Sequence, residues 1–454
     1  MKTIWSKSAL LPSGWASDVC VEIRDDGRIA QVQTGVAPQG TRTDLLLPAP
    51  VNAHSHAFQR AMAGLTERRG PDPSDSFWTW RQLMFRFLDR LTPDHIEAIT
   101  AFVQMEMLEA GYATNAEFHY LHHRPGGAPY ANLAEMSERV AAAAAQSGIG
   151  LCLLPVHYEV GGCDGRALTD GQIRFGNDLD RFQRLRDEAV GALSALPDDT
   201  THGVAAHSLR AVGQDALRSY TEHFPTGPIH MHLAEQRAEV EEVQAHWGAT
   251  PVAWALDNMT LDARWCLIHC TQMNPDETVR LARTGAVAGL CPITESNLGD
   301  GIFDAVRWIN AQGQFAIGSD SNIRISLCDE LRTLDYSQRL RDGTRAAFAT
   351  PERSTGRRMF EAALAGGAQA AQRKVGRLEP GYWADILALD TDNPTLWGRA
   401  EDTALDAWIF AGDDGLVRDV WSAGRHMVTD GRHIAHEQIT SAYKRTIDAL
   451  KDAI

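Results

Sequence analysis

Eight short apolar runs, at residues 45–54, 112–119, 149–158, 203–208, 228–234, 265–270, 286–292 and 314–320, punctuate the middle of this chain. Between them lie alanine- and leucine-rich stretches of helical character. Strands that alternate with helices predict βα units and a parallel sheet, and eight such units predict a closed barrel. One helical stretch, PDHIEAITAFVQMEMLEAG, has Pro93 near its start and Gly111 after its end, the asymmetry that marks helix boundaries. The predicted class is α/β, a (β/α)8 TIM-like barrel.

Several runs close on side chains that bind metals. The first ends in His54 and His56, and alternate residues of a strand share a face, so both imidazoles can reach one cation. A lone pair of this spacing is a weak signal, because a strand-end histidine is often only hydrogen-bonded. Downstream, however, PIHMHLAE supplies His230, His232 and Glu235, RWCLIHC supplies His269, and QFAIGSDS supplies Asp320. Four strand ends carrying these residues in this order predict a bound divalent ion. In a closed barrel the C-terminal ends of the strands form one face, which places all of them at one site.

The flanks read differently. Short alternating pieces such as VCVEIRDDGRIAQVQTG near the start and VGRLEPGYWADILALD near the end predict strands. Residues 1–44 and 375–454 are therefore expected to pair into a small β-sandwich domain beside a barrel of residues 45–374.

Charge narrows the partners. A formal net charge of −16 opposes binding to nucleic acid or an anionic membrane, both of which demand a basic field. No run approaches the ~20 apolar residues that span a bilayer, and a cytoplasmic location is expected. The seven cysteines lack CxxC spacing and read as reduced core residues. The span between Lys7 and Lys374 has no lysine, so no carbamylated lysine can bridge two metals there, and a one-metal site is the preferred reading.

These features meet in a family resemblance. The HxH after the first barrel strand, the HxxE after the fifth, the histidine after the sixth, the GSD after the eighth and the closing VGRLEPGYWADILALD resemble the amidohydrolase superfamily, in its one-metal deaminase branch. Within that branch the strings HSHAFQRAMAG, DSFWTWR, EFHYLHH, HSLRAV and NLGDGIF are similar to the formiminoglutamate deiminases. The resemblance covers nearly the whole chain. It implies hydrolytic deamination of N-formimino-L-glutamate to N-formyl-L-glutamate and ammonia, as in histidine degradation, by attack of metal-bound hydroxide on the formimino carbon.

By the same resemblance one zinc ion would be held by His54, His56, His232 and Asp320, although iron or another divalent metal suits these ligand types as well. Asp320 would take a proton from the attacking water, His269 would stabilise the tetrahedral intermediate, and Glu235 would carry protons to the leaving nitrogen. Two alternatives compete: His230 shares strand and spacing with His232, and Glu235 could cap the following helix.

The substrate implied is a small dicarboxylate, which calls for arginines. The resemblance places Arg81 and Arg210 in that role, with Gln59, Tyr120 and His207 as polar partners. His122, His123, His157, Asn297 and Arg324 lie near the same face without an assigned task. Gln272 and Asn322 stand where the family pattern has histidines, which bears on substrate preference. The alternative is a one-metal deaminase of a ring amidine such as guanine, cytosine or an adenosine derivative. A homodimer is the default expectation for assembly.

Overall fold

The computed structural model describes residues 1–67 and 77–451, with the side chains of Phe77, Trp78, Thr79, Arg81, Gln82 and Asp170 excepted. Seventeen strands form two sheets among the described residues.

The barrel strands are β5 (Val51–Ser55), β6 (Thr114–His119), β7 (Gly150–His157), β9 (Val204–Ser208), β10 (Ile229–Leu233), β11 (Trp265–His269), β12 (Val287–Leu290) and β13 (Gln314–Ile317), with the two-residue β8 (Thr201–His202) paired to β7. Every pairing between them is parallel. The edges meet where Ser55 bridges Asp320. All eight apolar runs of the sequence become these strands. Both faces of such a sheet are covered, which explains why β7, GLCLLPVH, is apolar nearly throughout and buried at every residue.

The second sheet joins the two ends of the chain. It contains β1 (Lys2–Leu11), β2 (Gly14–Ile23), β3 (Ile29–Gln33), β4 (Thr41–Pro48), β14 (Ile386–Leu389), β15 (Val417–Ser422), β16 (Arg425–Thr429) and β17 (Arg432–His433), in the order β17-β16-β15-β14-β4-β1-β2-β3. β1 and β4 are parallel and the other pairs antiparallel, so the sheet is mixed. The apolar run at 45–54 is thus two strands. Leu45 to Pro48 belong to the terminal sheet, and after Ala49 and Pro50 the chain enters the barrel at Val51. Proline lacks the N–H that a continuous ladder would need, so the break falls there.

Two helices of the C-terminal region, Glu401–Ala411 and His436–Leu450, lie outside the strand-like reading of that segment. The second packs on the barrel helix Pro93–Glu109, with Phe102 and Tyr443 stacked 3.9 Å apart. Buried ion pairs fasten the terminal sheet to the barrel. Asp199, ahead of β8, receives Arg373 at 2.6 Å and Arg425 at 2.7 Å, and Arg373 also pairs with Asp385. All seven cysteines are buried and unpaired. Among the described residues no helix is long and apolar enough to cross a membrane.

Candidate active site

His54 lies within β5 and His56 directly follows it. The Nε2 atom of His54 is 3.2 Å from that of His56 and 3.1 Å from that of His232, on β10, and His56 and His232 are 3.3 Å apart. Asp320, past the end of β13, brings Oδ1 to 3.3 Å from Nε2 of both His54 and His56. All four residues are buried and form one group capable of holding a metal ion.

Hydrogen bonds set the ring tautomers. Nδ1 of His56 donates to the Phe118 carbonyl and Nδ1 of His232 to the His207 carbonyl, each at 3.0 Å. Those rings therefore turn bare Nε2 lone pairs inward. Burial depresses the pKa of all three histidines, and for His54 and His232 neighbouring imidazoles add to the effect. These two lone pairs, the Nε2 of His54 and a carboxylate oxygen converge on one point, an arrangement that a cation at the centre would satisfy. The donor set fits a divalent ion.

His230 sits two residues earlier on β10, and its Nε2 donates instead to the Ala370 carbonyl at 2.8 Å. It stands apart from the four. The glycine of GSD has a steric cause: a methyl at Gly318 would come within 2.8 Å of the backbone of His54. This approach lets the Ser319 and Asp320 N–H groups donate to the His54 carbonyl at 3.1 and 2.9 Å, while His56 N–H donates to the Asp320 carbonyl at 2.9 Å. Below the seam, Asn52 donates to Ser319 Oγ at 2.6 Å, Ser319 to Asn322 Oδ1 at 2.6 Å, and Asn322 to Ser55 Oγ at 3.2 Å. Asn322 thus ties β5 to the segment that carries Asp320.

Several strand ends are held in the left-handed backbone region, with φ of 51° at Ala234, 70° at His269, 51° at Cys270, 49° at Asp320 and 54° at Asn322. Non-glycine residues seldom adopt it, and such strain gathers at functional sites.

Beside the metal donors, His269 Nδ1 lies 3.3 Å from Glu295 Oε1, and its Nε2 lies 3.9 Å from Glu235 Oε1 and 3.7 Å from Asp320 Oδ2. Burial works against protonation of His269, yet Glu235, the hydrogen bond to Glu295 and Asp320 together push its pKa up to about 10. Burial raises that of Glu235. Glu235 does not cap the next helix, Arg237–Trp247, whose N-cap position is Gln236; from within that helix Glu239 reaches back to accept the N–H groups of Ala234 and Glu235 at 3.2 and 3.0 Å.

A cavity opens over this group. Gln59, Tyr120, His207 and Arg210 all line it, together with His269 and Glu235. Gln59 donates to Tyr120 Oη at 2.8 Å, and Nη2 of Arg210 lies 3.5 Å from Glu235 Oε2. The side chain of Arg81 lies outside the described residues; Trp80 and Met84, from the same helix Phe77–Leu88, line the cavity. Tyr158, Arg166 and Glu242 also face it and were not among the expected residues. Tyr158 directly follows β7, so its strand-end position carried the signal; Arg166 lies deep in the next loop, where spacing says little.

The remaining polar residues serve packing and loops. His122 and His123 donate to the Val156 and Gly176 carbonyls, and His157 stacks on Phe182 at 4.9 Å. Asn297 donates to Glu67, Arg324 pairs with Asp329, and Gln272 donates to the Asp300 carbonyl.

Comparisons with known proteins agree with this geometry. Residues 45–427 match the model of the amidohydrolase family, and residues 1–42 match the N-terminal domain of formimidoylglutamate deiminase HutF. The chain is 45% identical to a formimidoylglutamate deiminase of Pseudomonas aeruginosa over the full length of both. It is 26% identical to a 5-methylthioadenosine/S-adenosylhomocysteine deaminase of Halobacterium salinarum, over 93% of this chain and 89% of that one. Its fold superimposes on the crystal structure of an amidohydrolase from Brucella melitensis with a TM-score of 0.94 and 46% identity, covering 99% of this chain and 100% of the other.

Proposed function

The chain belongs to the amidohydrolase family, and from that membership we propose that it hydrolyses the formimino group of N-formimino-L-glutamate, giving N-formyl-L-glutamate and ammonia. The similarity to a formimidoylglutamate deiminase along the whole chain carries this reading.

His54, His56, His232 and Asp320 would hold one zinc ion, since imidazole and carboxylate ligands around a small buried centre suit zinc. When bound, the ion supplies Lewis acidity that brings the ionisation of water down to about pH 7. Asp320 accepts the proton of the attacking water at Oδ2, the oxygen turned away from the histidines and toward His269. His269 holds a positive N–H at Nε2 beside the developing negative charge. Glu235, whose pKa burial raises, delivers a proton to the departing nitrogen. Arg210, and Arg81 on the helix that carries Trp80 and Met84, recognise the carboxylates, with Gln59, Tyr120 and His207 completing the polar wall.

The cavity suits such a substrate electrostatically. Its carboxylates meet arginine in the cavity wall. The second reading is a ring-amidine deaminase, favoured by the similarity to the methylthioadenosine deaminase. Ammonia release from N-formimino-L-glutamate, measured beside guanine, cytosine and adenosine, separates the two. Turnover of formiminoglutamate alone is the expected result, and turnover of a base alone replaces it with the second reading.

A further inference from the structure

Glu117 is a buried carboxylate outside both the four converging donors and the cavity. It lies in β6 and is 2% exposed, and among the described residues no arginine, lysine or histidine forms a salt bridge with it. A carboxylate taken out of water without a cation is costly unless hydrogen bonds replace its hydration. Three donors do so here. Oε1 accepts the Ala57 N–H at 2.7 Å, Oε2 accepts from Asn115 Nδ2 at 3.0 Å, and the Ser55 hydroxyl donates to the same carboxylate.

Ala57 directly follows His56. There β5 has ended and the short helix Ala57–Met62 begins, with His56 at its N-cap. An N-cap side chain ordinarily accepts one of the free N–H groups of the first turn. That of His56 makes no such bond, because its Nδ1 is committed to the Phe118 carbonyl and its Nε2 to the group of His54, His232 and Asp320. Glu117 caps the turn from the neighbouring strand instead. Consecutive residues of β6 thus grip His56 twice, Phe118 through the ring and Glu117 through the next peptide N–H.

This grip falls where the strand pairing is irregular. From Asn52 to Ser55, β5 advances three residues while β6 advances two, from Asn115 to Glu117. The ladder is disrupted in the interval that holds His54, so side chains have to fix what it leaves loose. Asn115 and Glu117 stand at the two ends of that interval on β6 and are joined by their own hydrogen bond. Ser55, at the end of the interval on β5, also accepts from Asn322. Glu117 is therefore the last acceptor of the buried chain that runs from Asn52 through Ser319, Asn322 and Ser55.

We propose that Glu117 is a positioning residue for the metal centre, which sets the direction of His56 and holds the irregular turn of β5 in register. The proposal rests on the metal-binding reading of the four donors. The test loads wild type, Glu117→Gln and Asn115→Ala with zinc and, separately, with cobalt(II). Glutamine keeps the shape, but its amide nitrogen must face either the Ala57 N–H or the Asn115 amide, donor against donor. Chelator competition is expected to show zinc affinity about ten- to a hundredfold weaker in Glu117→Gln, the scale of a group that orients ligands, and the visible absorption of the cobalt protein should change with it. Asn115→Ala keeps the carboxylate and removes one of its donors, so a smaller loss of the same kind is expected. A lower melting temperature of the metal-free protein with unchanged zinc affinity and an unchanged cobalt spectrum overturns the proposal, because that is the result of a residue that only packs the strand. Where Glu117→Gln does not fold, Asn115→Ala decides alone, and unchanged affinity and spectrum in it overturn the proposal. A wild-type protein that takes up no zinc rejects the metal reading itself, a distinguishable failure.

Discussion

Asp320 addresses two neighbours with its two oxygens: Oδ1 sits 3.3 Å from the ligand nitrogens of His54 and His56, while Oδ2 faces Nε2 of His269 at 3.7 Å. One carboxylate therefore links the metal donors to His269. Asp320→Asn keeps the volume but removes the basic oxygen. It should retain the wild-type melting temperature within a few degrees and lose about a hundred- to ten-thousandfold in kcat. A variant with near-normal turnover would remove Asp320 from proton transfer.

Metal retention should part company with substrate recognition. His232→Ala is expected to lose bound metal and turnover together, whereas Arg210→Ala should keep its metal and raise KM. Elemental analysis of the purified variants, beside steady-state kinetics, reads both. Equal metal loss in the two would contradict the division of labour.

Asn322 spans from Ser319 to Ser55 beneath the metal donors. Asn322→Ala should lower metal affinity about ten- to a hundredfold, the usual scale for a group that orients ligands. Chelator competition measures this, and circular dichroism checks that the fold is kept. Unaltered affinity would mean that the seam is fixed by the backbone bonds alone.

Asp199 clasps Arg373 and Arg425, and although burial opposes it, these two arginines hold its pKa below the ordinary carboxylate range. A depressed folded-state pKa contributes stability that is complete above the unfolded value and lost as pH falls through the folded one. Asp199→Asn should cost about 3 kcal/mol near neutrality, since it leaves buried arginine under-paired. Urea unfolding as a function of pH should show the wild-type advantage shrinking below about pH 4. A constant advantage down to pH 2 would assign the stabilisation to something other than this carboxylate.

Most of the barrel is legible in the sequence because a strand covered on both faces is an unbroken apolar run, and because the metal donors fall at the ends of those runs. His54, His56 and Asp320 could be picked out for that reason, and His232 only as one of a pair with His230. The division at Ala49 and Pro50 is not legible, since Leu45 to Val51 is apolar in either sheet and only the pairing partners differ. Nor is the choice between His230 and His232, which the Ala370 carbonyl decides from a helix 140 residues away. Arg166 escapes for a related cause: it reaches the cavity from a loop, and no periodicity encodes a loop.

The entry of β4 directly into β5 has a consequence for biosynthesis. The two histidines of the first strand leave the ribosome early, on a segment whose sheet neighbour β14 is still unmade. Asp320 follows more than half the chain later. A nascent chain therefore holds an incomplete set of donors for most of its synthesis, and a full complement exists only once the last barrel strand has been added.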